Sequence, residues 1–315
     1  MKKIICLLLI IPMLITIGCS KDNNEAESTK NSQDKIKIYT SIYPLYDFAT
    51  KVGGDKVDVT NLVPAGTEPH DWEVSTSDII NLEKSDMLIY NGAGIENWTD
   101  KIINTLENKD IVYVKTSEGL DIHKIDQDDH HHDHSDDGHN HGSYDPHTWL
   151  SIKNAKKEME NIKDALTEYD PENAEYYEKN YETYAKKFDE LDKKYSETLG
   201  SIENKTIIVA HEAFGYLCSD YDIEQVGIEG LTPDSEPDPA RMSEIIKFAK
   251  ENNVKTIFFE ELVSPKVAET IAKEINAKTA VLNPLEGLTE EQIRNGEDYF
   301  TIMEKNLEAL YDSMK

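Results

Sequence analysis

The chain has 315 residues, 62 acidic and 33 basic, for a formal charge of −29 at pH 7. A field of that sign repels nucleic acid and anionic lipid headgroups and draws in cations. Beyond an N-terminal processing segment, ~280 residues remain, enough for two lobes, each with its own core.

Lys2 and Lys3 precede an apolar run from Ile4 to Ile17. The run suits a signal peptide and is too short to span a bilayer comfortably. It ends Thr16-Ile17-Gly18-Cys19, which resembles a bacterial lipobox with Thr16 where Leu is usual. The resemblance implies a signal peptide over residues 1–18 and lipidation of Cys19 as the first mature residue, a palmitate-bearing membrane anchor. Losing Lys2 and Lys3 takes the charge from −29 to −31. Residues 19–34 carry the lipid and then a polar stretch without core formers, which reads as a flexible tether. Cys6 leaves with the signal, so Cys218 stands alone in the fold. No intramolecular disulfide and no cysteine-based zinc site can form, and a metal must be held by His, Asp or Glu.

Ile36 to Tyr39 alternates as a first strand, Tyr43 to Val52 follows as a helix closed by Gly53-Gly54, and Lys56 to Val63 alternates again. After the loop PAGTEPHDWE come a helix (75–84), a strand (86–90), a helix (95–106) and a strand (110–114). Strands alternating with helices predict a parallel sheet with helices on its faces. Ser151 caps a helix to about Glu168. Pro171 then opens a long one to Leu199, with large apolar residues at Tyr177, Tyr181, Tyr184, Phe188, Leu191 and Tyr195. Steps of three and four mark one helical stripe. At 1.5 Å per residue the helix is ~43 Å long, enough to act as a stiff spine joining two lobes. The alternation restarts with strands at 206–210, 223–228, 254–259 and 278–282 and helices at 212–219, 241–252, 265–275 and 299–314. Asp238 is placed as an N-cap with Pro239 at the first helical position. The predicted organisation is α/β: an N-terminal lobe (35–150) with a His-rich loop (121–144), a helical linker (151–199) with its spanning helix (171–199), and a C-terminal lobe (200–315).

Between Asp128 and Leu150 runs DDHHHDHSDDGHNHGSYDPHTWL, which holds seven of the ten histidines. His130, His131, His132, His134, His139 and His141 sit among Asp, Gly, Ser and Asn and cannot pack a core, so the tract reads as loose auxiliary metal capture. His147 follows Asp145-Pro146 in ordinary folded sequence. His70 lies in the loop after the second strand, and His211 is the first residue after the strand TIIVA. Ligands of α/β sheets gather at the carboxyl ends of strands, so His70, His147 and His211 predict one site between the lobes. A carboxylate from the second lobe should complete it. Glu286, after the last strand, has the right position, and Glu260 and Glu261, after TIFF, compete. Three neutral imidazoles and one carboxylate suit four-coordinate Zn²⁺, whereas Mn²⁺ prefers more oxygen. A hydrolase would need an open metal position and a general base. His211-Glu212 lacks the second histidine of an H-E-x-x-H motif, because Gly215 stands there, which leaves Glu212 as the lone base. Trp72 and Trp149 read as packing residues.

Five motifs carry a family resemblance. They are Glu68-Pro69-His70-Asp71-Trp72-Glu73, Asp145-Pro146-His147-Thr148-Trp149-Leu150, Ala210-His211-Glu212-Ala213-Phe214-Gly215-Tyr216, the stretch 233–241, and Val281-Leu282-Asn283-Pro284-Leu285-Glu286-Gly287. Over residues 35 to 315 the chain resembles the metal-binding solute receptors of bacterial ABC importers, closest to the zinc branch with its His-rich loop. The resemblance implies two βα lobes, one rigid spanning helix, and ligation by His70, His147 and His211 with Glu286 fourth. It implies Zn²⁺ as transported ligand and no catalytic activity. Implied partners are an ABC permease and its ATPase, for a monomer held by its lipid on the extracytoplasmic face of the cell membrane. The manganese branch typically has a carboxylate where His211 stands. Alternatives are a manganese receptor of the same family and a surface adhesin with structural metal.

Overall fold

The computed structural model describes residues 35–124, 144–232 and 237–315. The signal segment, Cys19 and the tether lie outside the described residues, as do His130, His131, His132, His134, His139 and His141 and part of the 233–241 motif. Strands β1 (Ile36–Thr40), β2 (Val57–Asn61), β3 (Met87–Tyr90) and β4 (Val112–Lys115) pair in parallel in the order β2-β1-β3-β4. Strands β5 (Thr206–Val209), β6 (Glu224–Gly227), β7 (Thr256–Phe259) and β8 (Lys278–Val281) repeat that order as β6-β5-β7-β8. The halves are thus topological copies without a repeated sequence.

The helices, in chain order, are α1 (Tyr43–Gly53), α2 (Thr76–Leu82), α3 (Thr99–Thr105), α4 (Ile152–Tyr169), α5 (Ala174–Leu199), α6 (Gly215–Tyr221), α7 (Pro239–Glu251), α8 (Lys266–Ile275), α9 (Glu290–Arg294) and α10 (Tyr299–Met314). Ser151 and Asp238 cap α4 and α7 as expected. Three boundaries differ from the sequence-based expectation. Helix α3 starts at Thr99 rather than Ile95, because the preceding turn lets Glu96 accept the amides of Asn91 and Gly92. Helix α6 starts at Gly215 rather than Glu212, because the Glu212 and Ala213 amides bond Gly230 and His211 carbonyls instead. Residues Pro171–Asn173 form a 3₁₀ turn, a common tightening at a helix start. The 26 residues of α5 then measure ~39 Å. Helix α9 was not expected, although Thr289 and Gln292 form the capping box that marks its start.

One hydrophobic core runs through both halves, instead of one core per lobe. Alternation along the strands explains it, since successive side chains point to opposite faces. Ile207 and Val209 join the shared core, while Ile208 between them faces a satellite cluster under α7 and α8. Met87 and Ile89 join the shared core, while Leu88 faces a second satellite that includes Leu82 of α2 and Ile102 of α3. Helix α5 keeps one face in solvent and packs with the other on α1 and α4 and on α6 and α10. Its stripe works as read: Tyr177, Phe188, Leu191 and Tyr195 are buried, and Tyr181 and Tyr184 are partly buried. Phe188 meets Phe48 of α1 edge-on at 5.8 Å and Tyr299 of α10 at 5.4 Å. The spine therefore joins a helix of each half through one aromatic layer. No helix among the described residues is long and apolar enough to cross a membrane.

Candidate metal centre

His70, in the loop after β2, and His147, after β4, come from the first half, and His211, after β5, and Glu286, after β8, from the second. Each offers one donor atom, and these atoms all lie within 4.8 Å of one another. His147, His211 and Glu286 are wholly buried, and the His70 side chain is 5% exposed. Glu286 Oε1 lies 3.3 Å from His70 Nε2, 2.9 Å from His147 Nε2 and 3.4 Å from His211 Nε2. His147 Nε2 is 3.4 Å from both His70 Nε2 and His211 Nε2. Atoms that surround a Zn²⁺ tetrahedrally at about 2.0–2.1 Å stand roughly 3.3 Å apart. The donor spacing therefore already matches the edges of a zinc tetrahedron.

The far nitrogens of two rings are held from behind, which fixes the rings and leaves Nε2 facing inward. His147 Nδ1 donates to Asp145 Oδ1 at 2.8 Å, and the same oxygen accepts the His147 amide at 3.0 Å. A Cβ at Gly215 would stand 2.7 Å from Asp145 Oδ2, so only glycine lets α6 approach this carboxylate. His211 Nδ1 donates to Glu260 Oε1 at 2.5 Å. Glu286 is aimed by a strained turn: Leu285 has φ of 59°, which costs a non-glycine residue on the order of 1 kcal/mol. The Leu285 amide bonds Asn283 Oδ1 at 2.7 Å, and Asn306 of α10 clamps the Asn283 backbone from both sides.

The electrostatics favour an ion at this spot. Burial raises Glu286, but the three imidazoles outweigh it and hold its carboxyl well below the usual range. Burial lowers His147, yet hydrogen bonds to Asp145 and Glu286 raise it overall. His211 is likewise lowered by burial and then raised well above its ordinary value by Glu260 and Glu286. Glu68 is pushed up to about 9, first by burial and then by the charge of Glu286.

The competitors of Glu286 have other places. Glu260 stands behind His211, and Glu261 accepts the Asn283 side-chain amide at 2.8 Å. Glu212 bonds the Gly227 amide at 3.4 Å. Trp72 packs edge-on against Trp98, and Trp149 packs in the core beside His147. Sequence reading passed over the tenth histidine, His123. Its ring stacks on Tyr216 at 4.0 Å and its amide donates to the Tyr216 oxygen, while the Tyr216 hydroxyl donates to the Asp145 carbonyl. His123 thus buttresses the Asp145–His147 segment; its nearness to the loose tract had hidden it.

Two topologically equivalent parallel-sheet lobes, a spanning helix and three imidazoles with a carboxylate between the halves define a two-lobed solute-binding receptor. Residues 38–313 match the family model of the periplasmic zinc-uptake complex component A, ZnuA, and the chain belongs to that family. It is 41% identical over 301 residues to the high-affinity zinc uptake system protein ZnuA of Bacillus subtilis, covering 96% of this chain and 94% of that one. It is similar to the Zn(II)-bound ZnuA-like domain of Streptococcus pneumoniae AdcA, with TM-score 0.76 and 38% identity over 89% of this chain and 99% of that one. It is also similar to the laminin-binding protein Lmb of Streptococcus agalactiae, described as bifunctional with adhesin and metal-transporting activity. That likeness has TM-score 0.79 and 31% identity over 90% of this chain and 100% of that one.

Proposed function

We propose that the chain captures Zn²⁺ between its lobes on His70, His147, His211 and Glu286 and delivers it to an ABC importer. The observation that carries this reading is the spacing of the four donors, five of whose six separations lie between 2.9 and 3.4 Å. Three nitrogens and one oxygen suit zinc better than manganese, which takes more oxygen donors. Binding, rather than catalysis, fits a shell closed by four protein ligands. Glu212, the base that hydrolysis would need, bonds a β6 amide instead.

The wider reading follows the family. Residues 1–18 act as signal peptide and Cys19 carries the lipid, so the receptor works as a monomer tethered to the extracytoplasmic face through residues 19–34. Lobes 35–150 and 200–315 close on the ion across the linker 151–199, and the loop histidines raise the local zinc supply. The partners are the permease and its ATPase. A deletion strain should grow poorly under zinc starvation and recover with added zinc. Normal growth with loss of host-matrix adhesion would support the adhesin alternative instead.

A further inference from the structure

Glu286 has two carboxylate oxygens, and the histidine cluster uses one. Oε2 is buried and meets no hydrogen-bond donor, on a side chain 1% exposed. Glu68 Oε2 is buried and equally without a donor. Leaving such atoms unsatisfied costs stability, more so for a charged group. Glu68, Glu260 and Glu286 each present a carboxylate oxygen within 4.8 Å of one another. They line a cavity of about 10 Å³ together with Asn283, Pro284 and Gly287, on the order of one water in size. The exposed Glu261 and half-buried Leu262 complete its lining.

We propose that Glu68, Glu260 and Glu286 Oε2 form a second divalent-cation position beside the histidine cluster, bridged to it by the Glu286 carboxylate. The donors are all carboxylate oxygens, so the position takes a hard cation such as Mn²⁺, Mg²⁺ or Ca²⁺. It gives both buried oxygens a partner at once. It rests on the zinc reading only in that Oε1 of Glu286 is occupied there. A cation on Oε2 draws charge from the same carboxylate, so the two positions are coupled, and each ion alters the affinity for the other equally.

The test uses full-chain protein loaded with one equivalent of Zn²⁺ and titrated with Mn²⁺, an EPR-visible hard cation. Bound Mn²⁺ is counted by EPR and located in crystals by anomalous scattering at the manganese and zinc edges. The expected result is zinc at the histidines and manganese among Glu68, Glu260 and Glu286, with Mn²⁺ affinity at least tenfold weaker in Glu68→Gln. Zinc at the histidines with no manganese among the carboxylates, or equal Mn²⁺ affinity in Glu68→Gln, would overturn the second position and leave the zinc reading standing. Absence of zinc from the histidines would instead overturn the zinc reading.

Discussion

Trp149 donates its indole N–H to the Pro284 carbonyl at 2.8 Å. The residue two after His147 is thereby pinned to the residue two before Glu286. Around this bond the Tyr299 hydroxyl donates to the Trp149 carbonyl at 2.8 Å and Ser151 donates to Asp220 at 2.6 Å. The segment of His147, from the first half, is so tied to a loop and two helices of the second half. Trp149→Phe keeps a buried ring and removes the bond. We expect zinc affinity to fall about five- to tenfold, in line with a net hydrogen bond of ~1 kcal/mol. An unchanged dissociation constant would mean the bond does not shape the site.

Glu260 orients His211 and raises the basicity of its ring through the Nδ1 hydrogen bond. Glu260→Gln keeps an acceptor and removes the charge. Zinc affinity should drop about 10- to 100-fold, the usual effect of losing a partner behind a metal-ligating histidine. Competition against a chromophoric chelator reads this directly. Wild-type affinity would show that packing alone holds the ring.

A pH effect on stability should come from Glu158, buried in α4 with both carboxyl oxygens unsatisfied. The Thr148 hydroxyl beside it donates to Asn91 instead. Burial, aided by the charge of Glu96, pushes its pKa from 4.5 to about 8. The folded state then keeps a proton that the unfolded chain releases. The stabilisation is complete below about pH 4.5 and is lost as pH rises through about 8. Glu158→Gln should be more stable than the wild type at pH 8 by ~1–3 kcal/mol, with little gain at pH 4. Chemical denaturation at the two pH values checks it, and equal wild-type and variant slopes would contradict it.

Much of this was legible in the chain, for identifiable reasons. His70, His147 and His211 follow strand ends, and strand ends were readable from alternation, so their meeting could be anticipated. The choice among Glu260, Glu261 and Glu286 could not be read from topology, because all three follow strands of the same sheet. Their places in space differ: Glu260 meets the outer nitrogen of His211, and Glu286 the inner one. The shared core was hidden because periodicity says which face of β5 or β3 is apolar, not what covers it. Glu158 and Glu96 look like ordinary polar helix and loop residues, and only their burial reveals the polar layer under the His147 segment.

Competition titration of zinc against a chelator, for the wild type and for His147→Ala and His211→Ala, tests the central claim most directly. Protons compete with the metal for the same imidazole nitrogens, so the wild-type affinity should also weaken as pH falls. The account predicts one tight zinc equivalent in the wild type and its loss in each variant. Tight binding that survives both substitutions unchanged would contradict it.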